Sequence, residues 1–563
     1  MLSNREIRRM FGLYGELLLL HGQDIRLSGM LSGAAYRLRR ISDDILSMDK
    51  SSLSTLFRPE MIKLIEELKK TETLEALDEL IQLTPAGLFE MMRIPGLGGK
   101  KLSVLWKTAK IDTIDGLLKA CKNNKLSEIP GFGKKTEINI IEAIENYDLK
   151  KDRFHYGFIA DTAIGLVTAM QKLFKTKWIS LCGEIRRQST TVPGIEIIAA
   201  LSAVKCKNPA LRRHLIIQSS GKDQTHAHTL DEIPVIIYHT TINQFYKELF
   251  TRTGNEFHVK KVLGNIKNKT SFSTEDEIYK KAKLPFIIPE MREDVAEWDF
   301  KNKIADLISL KDIRGVVHNH TNWSDGVDRL PDFVEACKKK KYEYVVISDH
   351  SKNAHYAGGL KEEKVLRQMD AIDDLNKEPG SFRIFKSIEC DILVSGELDY
   401  DTRLLKKFDM VIISIHQLLK MNEEKATARL IKAIENPYTT ILGHMTGRQL
   451  LIRPGYPVNF KKVIDACAAN KVVIEINANP YRLDMDWSHI PYALKKNVMI
   501  SINPDAHSIG EIDNIRWGVS AARKGGLTRA MTWNAKSLKE ILQWLKEKGS
   551  DRNPTRKITT LEM

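Results

Sequence analysis

Cysteine is scarce in this 563-residue chain, and its six copies stand apart: Cys121, Cys182, Cys206, Cys337, Cys390 and Cys467, with no Cys-x-x-Cys pair. That spacing argues against disulfides and a zinc ribbon and for reduced, buried thiols in a cytosol. No run of 18 apolar residues occurs, so no membrane-spanning helix is expected. The opening MLSNREIRRM has no apolar stretch of the secretory kind, and no glycine follows Met1 for myristoylation. A cytoplasmic monomer, not associated with a membrane, is the expectation. Charge is not concentrated either. The net +15 divides into +8 over residues 301–563, which hold 42 basic and 34 acidic side chains, and +7 over residues 1–300. A spread basic excess suits a polyanionic partner without singling one out.

What is present is a repeated strand signature. The last 263 residues contain seven short apolar runs: Gly315–His320, Tyr344–His350, Arg383–Glu389, Met410–His416, Thr439–His444, Val472–Asn477 and Val498–His507. Six end in histidine, aspartate or glutamate, and the exception carries Glu475 within it. Val/Ile-rich runs separated by helical stretches predict seven βα units and a parallel barrel, whose chemistry sits at the carboxyl ends of the strands.

The chain is too long for one core, so several domains are expected. Residues 1–75 show apolar positions at helical spacing in FGLYGELLLLH and MIKLIEELKK. Residues 76–150 contain a repeat, IPGLGGKK from Ile94 and IPGFGKK from Ile129, 35 residues apart and each followed by a helical run. A Gly-x-Gly turn before a helix lets backbone amides approach a phosphate, and the helix amino terminus adds favourable partial charge. Gly96, Gly98, Lys100 and Lys101 in the first copy, and Gly131, Gly133, Lys134 and Lys135 in the second, are the expected DNA-backbone contacts. Both copies resemble helix-hairpin-helix motifs, which grip DNA without reading sequence. Residues 151–295 mix strands and helices. The stretch near 284–300, with two prolines and a charge cluster, reads as a linker to a barrel domain over 310–555.

The strand ends supply a metal constellation. His318 and His320, two apart on a strand, are expected on one face. Asp325 follows in the next loop, and His350, Glu389, His416, His444, Asp505 and His507 end the later strands. Six imidazoles and three carboxylates suit Mn, Zn or Fe, whereas the lack of thiolates argues against a structural zinc site. Nine ligands imply two or three divalent ions; magnesium is left open. Asp349 is placed to orient a ligand or handle a proton. Arg448, Arg482 and Lys352 are candidate phosphate contacts.

The motifs HNHTNWSDG, VVISDHS, IECDI, ISIH, ILGH and NPDAH resemble those of the PHP (polymerase and histidinol phosphatase) domain across residues 313–555. That resemblance implies a distorted (β/α)7 barrel, with the nine positions holding a trinuclear centre that hydrolyses phosphoesters.

The order of modules resembles bacterial family X DNA polymerases over nearly the whole chain. It implies a lyase-like helical module at 1–75, hairpin fingers at 76–150 and an α+β nucleotidyltransferase-like palm and thumb at 151–295. In that family a Gly-Ser pair and two arginines cradle a triphosphate, while an Asp-x-Asp and a later aspartate hold two Mg²⁺ ions. Here Gly183 is followed by Glu184, with Arg186 and Arg187 retained. The Asp-x-Asp position reads Gly194-Ile195-Glu196, and the third aspartate falls at Ile236. Phosphoryl transfer depends almost wholly on metals and positioning, so loss of two carboxylates in three implies an inactive polymerase site. The alternative is that Asp231 or Glu232 substitutes, leaving a working gap-filling polymerase beside a proofreading barrel. The leading expectation is a DNA repair protein whose PHP barrel acts as a 3′→5′ exonuclease or 3′-end-cleaning phosphoesterase on nicked, gapped or 3′-ended DNA. A metal-bearing scaffold without hydrolysis and a small-molecule phosphatase are the remaining readings.

Overall fold

The computed structural model describes residues 2–551 apart from 3, 39–40, 42–43, 93, 95, 127–128, 130, 151–152, 207, 267–270 and 301. Pro95 and Pro130 of the repeat, and the expected barrel boundary at 555, lie outside the described residues. The chain forms two compact units, Met1–Lys151 and Asp152–Met563.

The first unit is helical from Asn4–His21 to Lys134–Lys150. Local chemistry sets its helix ends. The Asp49 side chain accepts from Ser52 N, Pro59 occupies a first-turn position where its missing N–H costs nothing, and Thr113 accepts from Gly116 N. One apolar core runs from Ile7, Phe11 and Leu17 through Ile65 and Leu77 to Leu105, Leu117, Phe132 and Ile144. The expected break at 75/76 is therefore not a break in packing, because helices on both sides need the same core to cover their apolar stripes.

The second unit contains two sheets that matter here. Its first strands, β1 (Phe154–His155) and β3 (Thr191–Val192), pair with each other. A five-stranded sheet comprises β2 (Ile179–Leu181), β4 (Ile195–Ala199), β5 (Leu215–Ser220), β6 (Gln224–Thr229) and β7 (Pro234–His239), in the order β2-β4-β7-β6-β5. Only β4 and β7 run parallel.

The barrel strands are β8 (Gly315–Asn319), β9 (Tyr344–Ile347), β10 (Arg383–Asp391), β11 (Met410–Ser414), β12 (Ile441–Leu442), β13 (Val473–Asn477) and β14 (Ile500–Asn503). They are parallel and lie side by side in chain order. β8, β9, β11, β12, β13 and β14 are buried along their whole length, as a sheet covered on both faces requires. Alternate residues divide between two layers. Val317, Val346, Ile412 and Val473 pack inside against Trp533 and Ile541, which plug one end, whereas Val316, Val345, Val411 and Ile474 face the helices. Near the other end a bridge between Asn319 and Ala506, with His320 N donating to Ala506 O at 2.8 Å, draws the first and last strands together. The architecture is the nearly closed seven-stranded parallel barrel expected of the PHP class.

The stretch 284–300 is not a linker. Arg292 is fully buried, donates to Ile287 O and pairs with Glu275, while Ile287, Ile288, Met291 and Glu297 are buried around it. Its prolines and charges mimic a linker in sequence, but the charges are paired inside. The five-stranded module is also fused to the barrel: Leu483, Trp517 and Ala521 belong to the same apolar core as Tyr156, Leu166 and Ile197.

Candidate metal centre

Strand geometry brings the nine predicted ligands to one end of the barrel. Three groups have ligand atoms within 4.8 Å of one another: His320, Asp325, His350 and His507; His318, His320 and Asp505; His350, Glu389 and His416. His444 joins through Glu389, its Nε2 lying 2.9 Å from Oε1. Glu389 Oε1 is also 3.2 Å from Nε2 of both His318 and His416, and Oε2 is 2.9 Å from His350 Nδ1. Despite these distances, both Glu389 oxygens, His318 Nε2 and His350 Nδ1 are buried without a hydrogen bond. Lone pairs that converge without donors between them fit cations better than an internal hydrogen-bond network. The all-nitrogen and oxygen donor set fits divalent ions of the Mn, Zn or Fe type.

Electrostatics keep Glu389, Asp505 and His320 in ligating form. At His318, His416 and His507, by contrast, burial is outweighed by the neighbouring carboxylates, which raise the imidazoles above their ordinary value, His416 to about 10 and His507 to about 9. Bound ions would take the place of protons there. Burial opposes charge on Glu389, but His416, His318 and His350 outweigh it and hold the carboxylate well below its usual range. Asp505 is depressed likewise against its burial, chiefly by His318. Burial, reinforced by His507 and His350, lowers His320 to about 4.

The pair His318/His320 faces the site by a route that simple alternation does not predict. The pairing of β8 with β9 shifts register between Val316 and Asn319, and His318 has φ +65°. This bulge re-aims the side chain, as bulges near functional sites commonly do. Asp505 at the opposite edge also has positive φ, +51°.

Carboxylates that the sequence reading did not assign hold the ligands from behind. His318 Nδ1 donates to Glu475 Oε2 at 2.6 Å, and His416 Nδ1 to Asp391 Oδ1 at 2.6 Å. Asn477 Nδ2 bridges Glu475 and Asp505 at 3.0 and 2.9 Å, and Asn503 Nδ2 donates to Glu475 at 2.7 Å. Glu475 inside an apolar run was the available signal.

Two catalytic expectations need correction. Asp349 is fully buried and accepts from Thr321 N and Oγ1, Ser324 N and Oγ, and Gln368 Nε2. With its oxygens so engaged it anchors the loop that carries Asp325 and is not free to move a proton. Arg448 is spent on Asp486 at 2.7 Å and on the carbonyls of Arg482 and Leu483, so it braces a loop instead of facing phosphate. Arg482 does face the site, with Nε 3.5 Å from Asp505 Oδ2. Lys352 lies over the Tyr400 ring instead. Tyr356, whose ring lies 6.2 Å from His350 and 6.4 Å from His416, was missed because it sits in the single 3-10 turn His355–Ala357, outside any motif.

In the five-stranded module, register places Glu196 directly beside Ile236 on the neighbouring strand, so the expected third-acid position carries an alkyl chain. A side chain at Gly194 would place its Cβ 2.5 Å from Pro234 O. Glu196 lies against Gly183, where a Cβ would meet its carboxylate at 1.8 Å, and accepts from the Tyr238 hydroxyl at 3.0 Å. Glu184 pairs with Arg153, Arg186 with Glu275, and Arg187 with Glu293. Asp231 and Glu232 are exposed on the turn before β7, with Glu232 3.8 Å from His228.

In the helical unit, Gly96 and Gly131 take φ of +87° and +92°, the conformation that demands glycine, and all four predicted lysines are exposed. In the first copy Gly99 N donates to Glu16 at 2.6 Å, so a carboxylate already uses an amide of the first turn.

A family model described as a SAM-like helix-hairpin-helix tandem matches residues 89–146. The DNA polymerase/3′-5′ exonuclease PolX of Bacillus subtilis (strain 168) is 33% identical over 531 residues, covering 90% of this chain and 91% of that one. The chain belongs to the bacterial family X polymerases. Its carboxy-terminal part also matches proteins of the PHP type. A probable phosphatase of Thermoanaerobacter sp. (strain X514) is 27% identical over 41% of this chain and 94% of its own length. Another, of Caldanaerobacter subterraneus subsp. tengcongensis, is 24% identical over 42% and 93%. Within family X, then, this chain joins a hairpin tandem to a barrel related to phosphatases. No helix among the described residues is long and apolar enough to cross a membrane.

Proposed function

We propose that this family X protein is a cytoplasmic, monomeric DNA repair enzyme whose barrel hydrolyses the terminal phosphodiester of a 3′ end, acting as a metal-dependent 3′→5′ exonuclease or end-cleaning enzyme. The observation that carries the reading is the convergence of five imidazoles, those of His318, His320, His350, His416 and His444, within 3.7 Å of the Glu389 carboxylate, with Asp325, Asp505 and His507 grouped beside them and buried polar atoms left without hydrogen bonds. Divalent ions held there would polarise the phosphoryl group and bring the pKa of bound water to about 7. His318, His320, Asp325, His350, Glu389, His416, His444, Asp505 and His507 are the proposed ligands. Glu475 and Asp391 fix the ring orientation of His318 and His416, as carboxylates behind metal-bound imidazoles do. Arg482 is the proposed partner for the scissile phosphate.

Grip on gapped, nicked or 3′-ended DNA is assigned to the hairpins. The second copy, with Gly131, Gly133, Lys134 and Lys135, is the stronger backbone contact, because Glu16 competes at the first. The polymerase-like site is proposed to be inactive. Gly194 and Ile236 supply no carboxylate, and Arg186 and Arg187 are engaged in internal ion pairs.

The test is release of 3′ nucleotides from labelled DNA in the presence of Mn²⁺. Asp505→Asn should abolish release while DNA binding stays at the wild-type level. An Asp505→Asn protein that still releases nucleotides would overturn the assignment.

A further inference from the structure

Where the five-stranded module packs against the barrel, two aromatic rings face solvent. Phe158 and Tyr481 are 43% and 42% exposed and meet edge to face at 5.0 Å. They come from different modules: Phe158 from the helix Tyr156–Phe174 that packs on the five-stranded sheet, Tyr481 from the barrel loop after β13. His155 packs against both, at 5.3 and 5.0 Å. Its Nε2 is 2.8 Å from Leu450 O, while Leu450 N donates to Tyr481 O at 2.6 Å. Asn479 Oδ1 accepts from Tyr481 N at 3.1 Å. Hydrogen bonds thus fix the backbone that carries Tyr481 and the imidazole against which both rings pack.

The loop that carries Tyr481 also feeds the metal centre. Asn477, four residues before it, bonds to Asp505, and Arg482, one residue after it, lies 3.5 Å from the same carboxylate. Arg453, exposed and within electrostatic reach of Arg482 and Tyr356, adds a second cation to this margin. Aromatic faces next to guanidinium groups are the chemistry of single-stranded nucleic acid: the cations take phosphate and the rings take bases of any identity.

We propose that Phe158 and Tyr481 form a stacking subsite for a nucleobase at the single-stranded end of DNA whose phosphodiester lies against the ligand cluster. The inference rests on the reading of the barrel as a DNA-end hydrolase. It also gives the polymerase-like module a role without polymerase chemistry: that module supplies Phe158 and His155 and holds them at the barrel.

The experiment uses the full-length chain with Mn²⁺ and an oligonucleotide whose 3′-terminal base is 2-aminopurine, its last linkage a slowly cleaved phosphorothioate. Wild type should quench the fluorescence of that base by stacking. The Phe158→Leu, Tyr481→Ala double variant should lose most of the quenching, and Tyr481→Phe should keep it. Phe158→Leu retains an apolar side chain on the helix, so a packing loss is separated from loss of the ring. On an ordinary linkage the double variant should raise KM on the order of tenfold with kcat changed less than about twofold. Equal quenching by wild type and double variant, or none by wild type, overturns the subsite. Quenching lost in the double variant without release of nucleotides by any protein leaves the subsite standing and removes the hydrolase reading instead.

Discussion

Lys524 of the barrel and Glu293 of the polymerase-like module form a buried ion pair, and Arg187 donates to the same Glu293 oxygen at 2.9 Å. Lys524 also donates to Arg187 O at 3.0 Å. An arginine expected to hold a triphosphate is therefore part of the joint between two modules.

That joint makes stability depend on acid. Burial works against the charged form of Glu293, but Lys524 and Arg187 outweigh it and hold its carboxyl below the ordinary value of about 4.5. A carboxylate depressed in this way stabilises the fold above its unfolded-state pKa, and that contribution is lost as pH falls through the folded value. Glu293→Gln should cost about 3 kcal/mol at pH 7, because it leaves two cations without their partner. Denaturation of wild type and variant between pH 7 and pH 3 should show the gap narrowing below about pH 4.5. A gap that widens on acidification would contradict the ion-pair assignment.

Glu475 lies behind the ligands and not among them. Glu475→Gln should lower metal affinity about 10- to 100-fold while the fold is retained, since His318 loses the carboxylate that orients it. Metal titration followed by isothermal calorimetry checks this. Unchanged affinity would place Glu475 outside the centre.

The contrast between Glu475 and the nine candidate ligands shows what sequence can display. Ligands such as His350 and Glu389 end or closely follow short apolar runs, so one local rule about βα units finds them. Glu475 lies within such a run, and its partner His318 is 157 positions away, a distance that only barrel closure removes. Arg448 and Asp349 misled for the same reason. Each has the residue type and neighbourhood of a catalytic group, and only tertiary packing shows their donors and acceptors already engaged. The seven-strand barrel was legible because its strands repeat. The bulge at His318 was not, since nothing in HNH departs from ordinary alternation.

Restoring acids one at a time should not revive the polymerase-like site. Gly194→Asp would press a Cβ toward Pro234 O and should cost about 1–3 kcal/mol by overpacking. Ile236→Asp adds a carboxylate beside Glu196 but leaves Arg186 and Arg187 in their ion pairs. Neither variant should incorporate nucleotides on a gapped duplex; incorporation by either would show that the arginines exchange partners readily.

The two hairpins should contribute unequally to DNA binding. Lys134→Ala with Lys135→Ala should weaken binding and reduce the salt slope by about 2, as expected for loss of two phosphate contacts. Lys100→Ala with Lys101→Ala should do less, because Glu16 lies at that turn. Fluorescence anisotropy across a salt series decides, and identical slopes for both pairs would remove the distinction.

The most direct measurement places both chemistries on one substrate: a gapped duplex with a labelled 3′ end, all four nucleotides, and Mn²⁺ or Mg²⁺. Wild type should shorten the labelled strand and never lengthen it. Asp505→Asn should leave its length unchanged, and Glu196→Gln should behave as wild type. A strand lengthened by wild type and left unextended by Glu196→Gln would contradict the assignment of activity to the barrel alone.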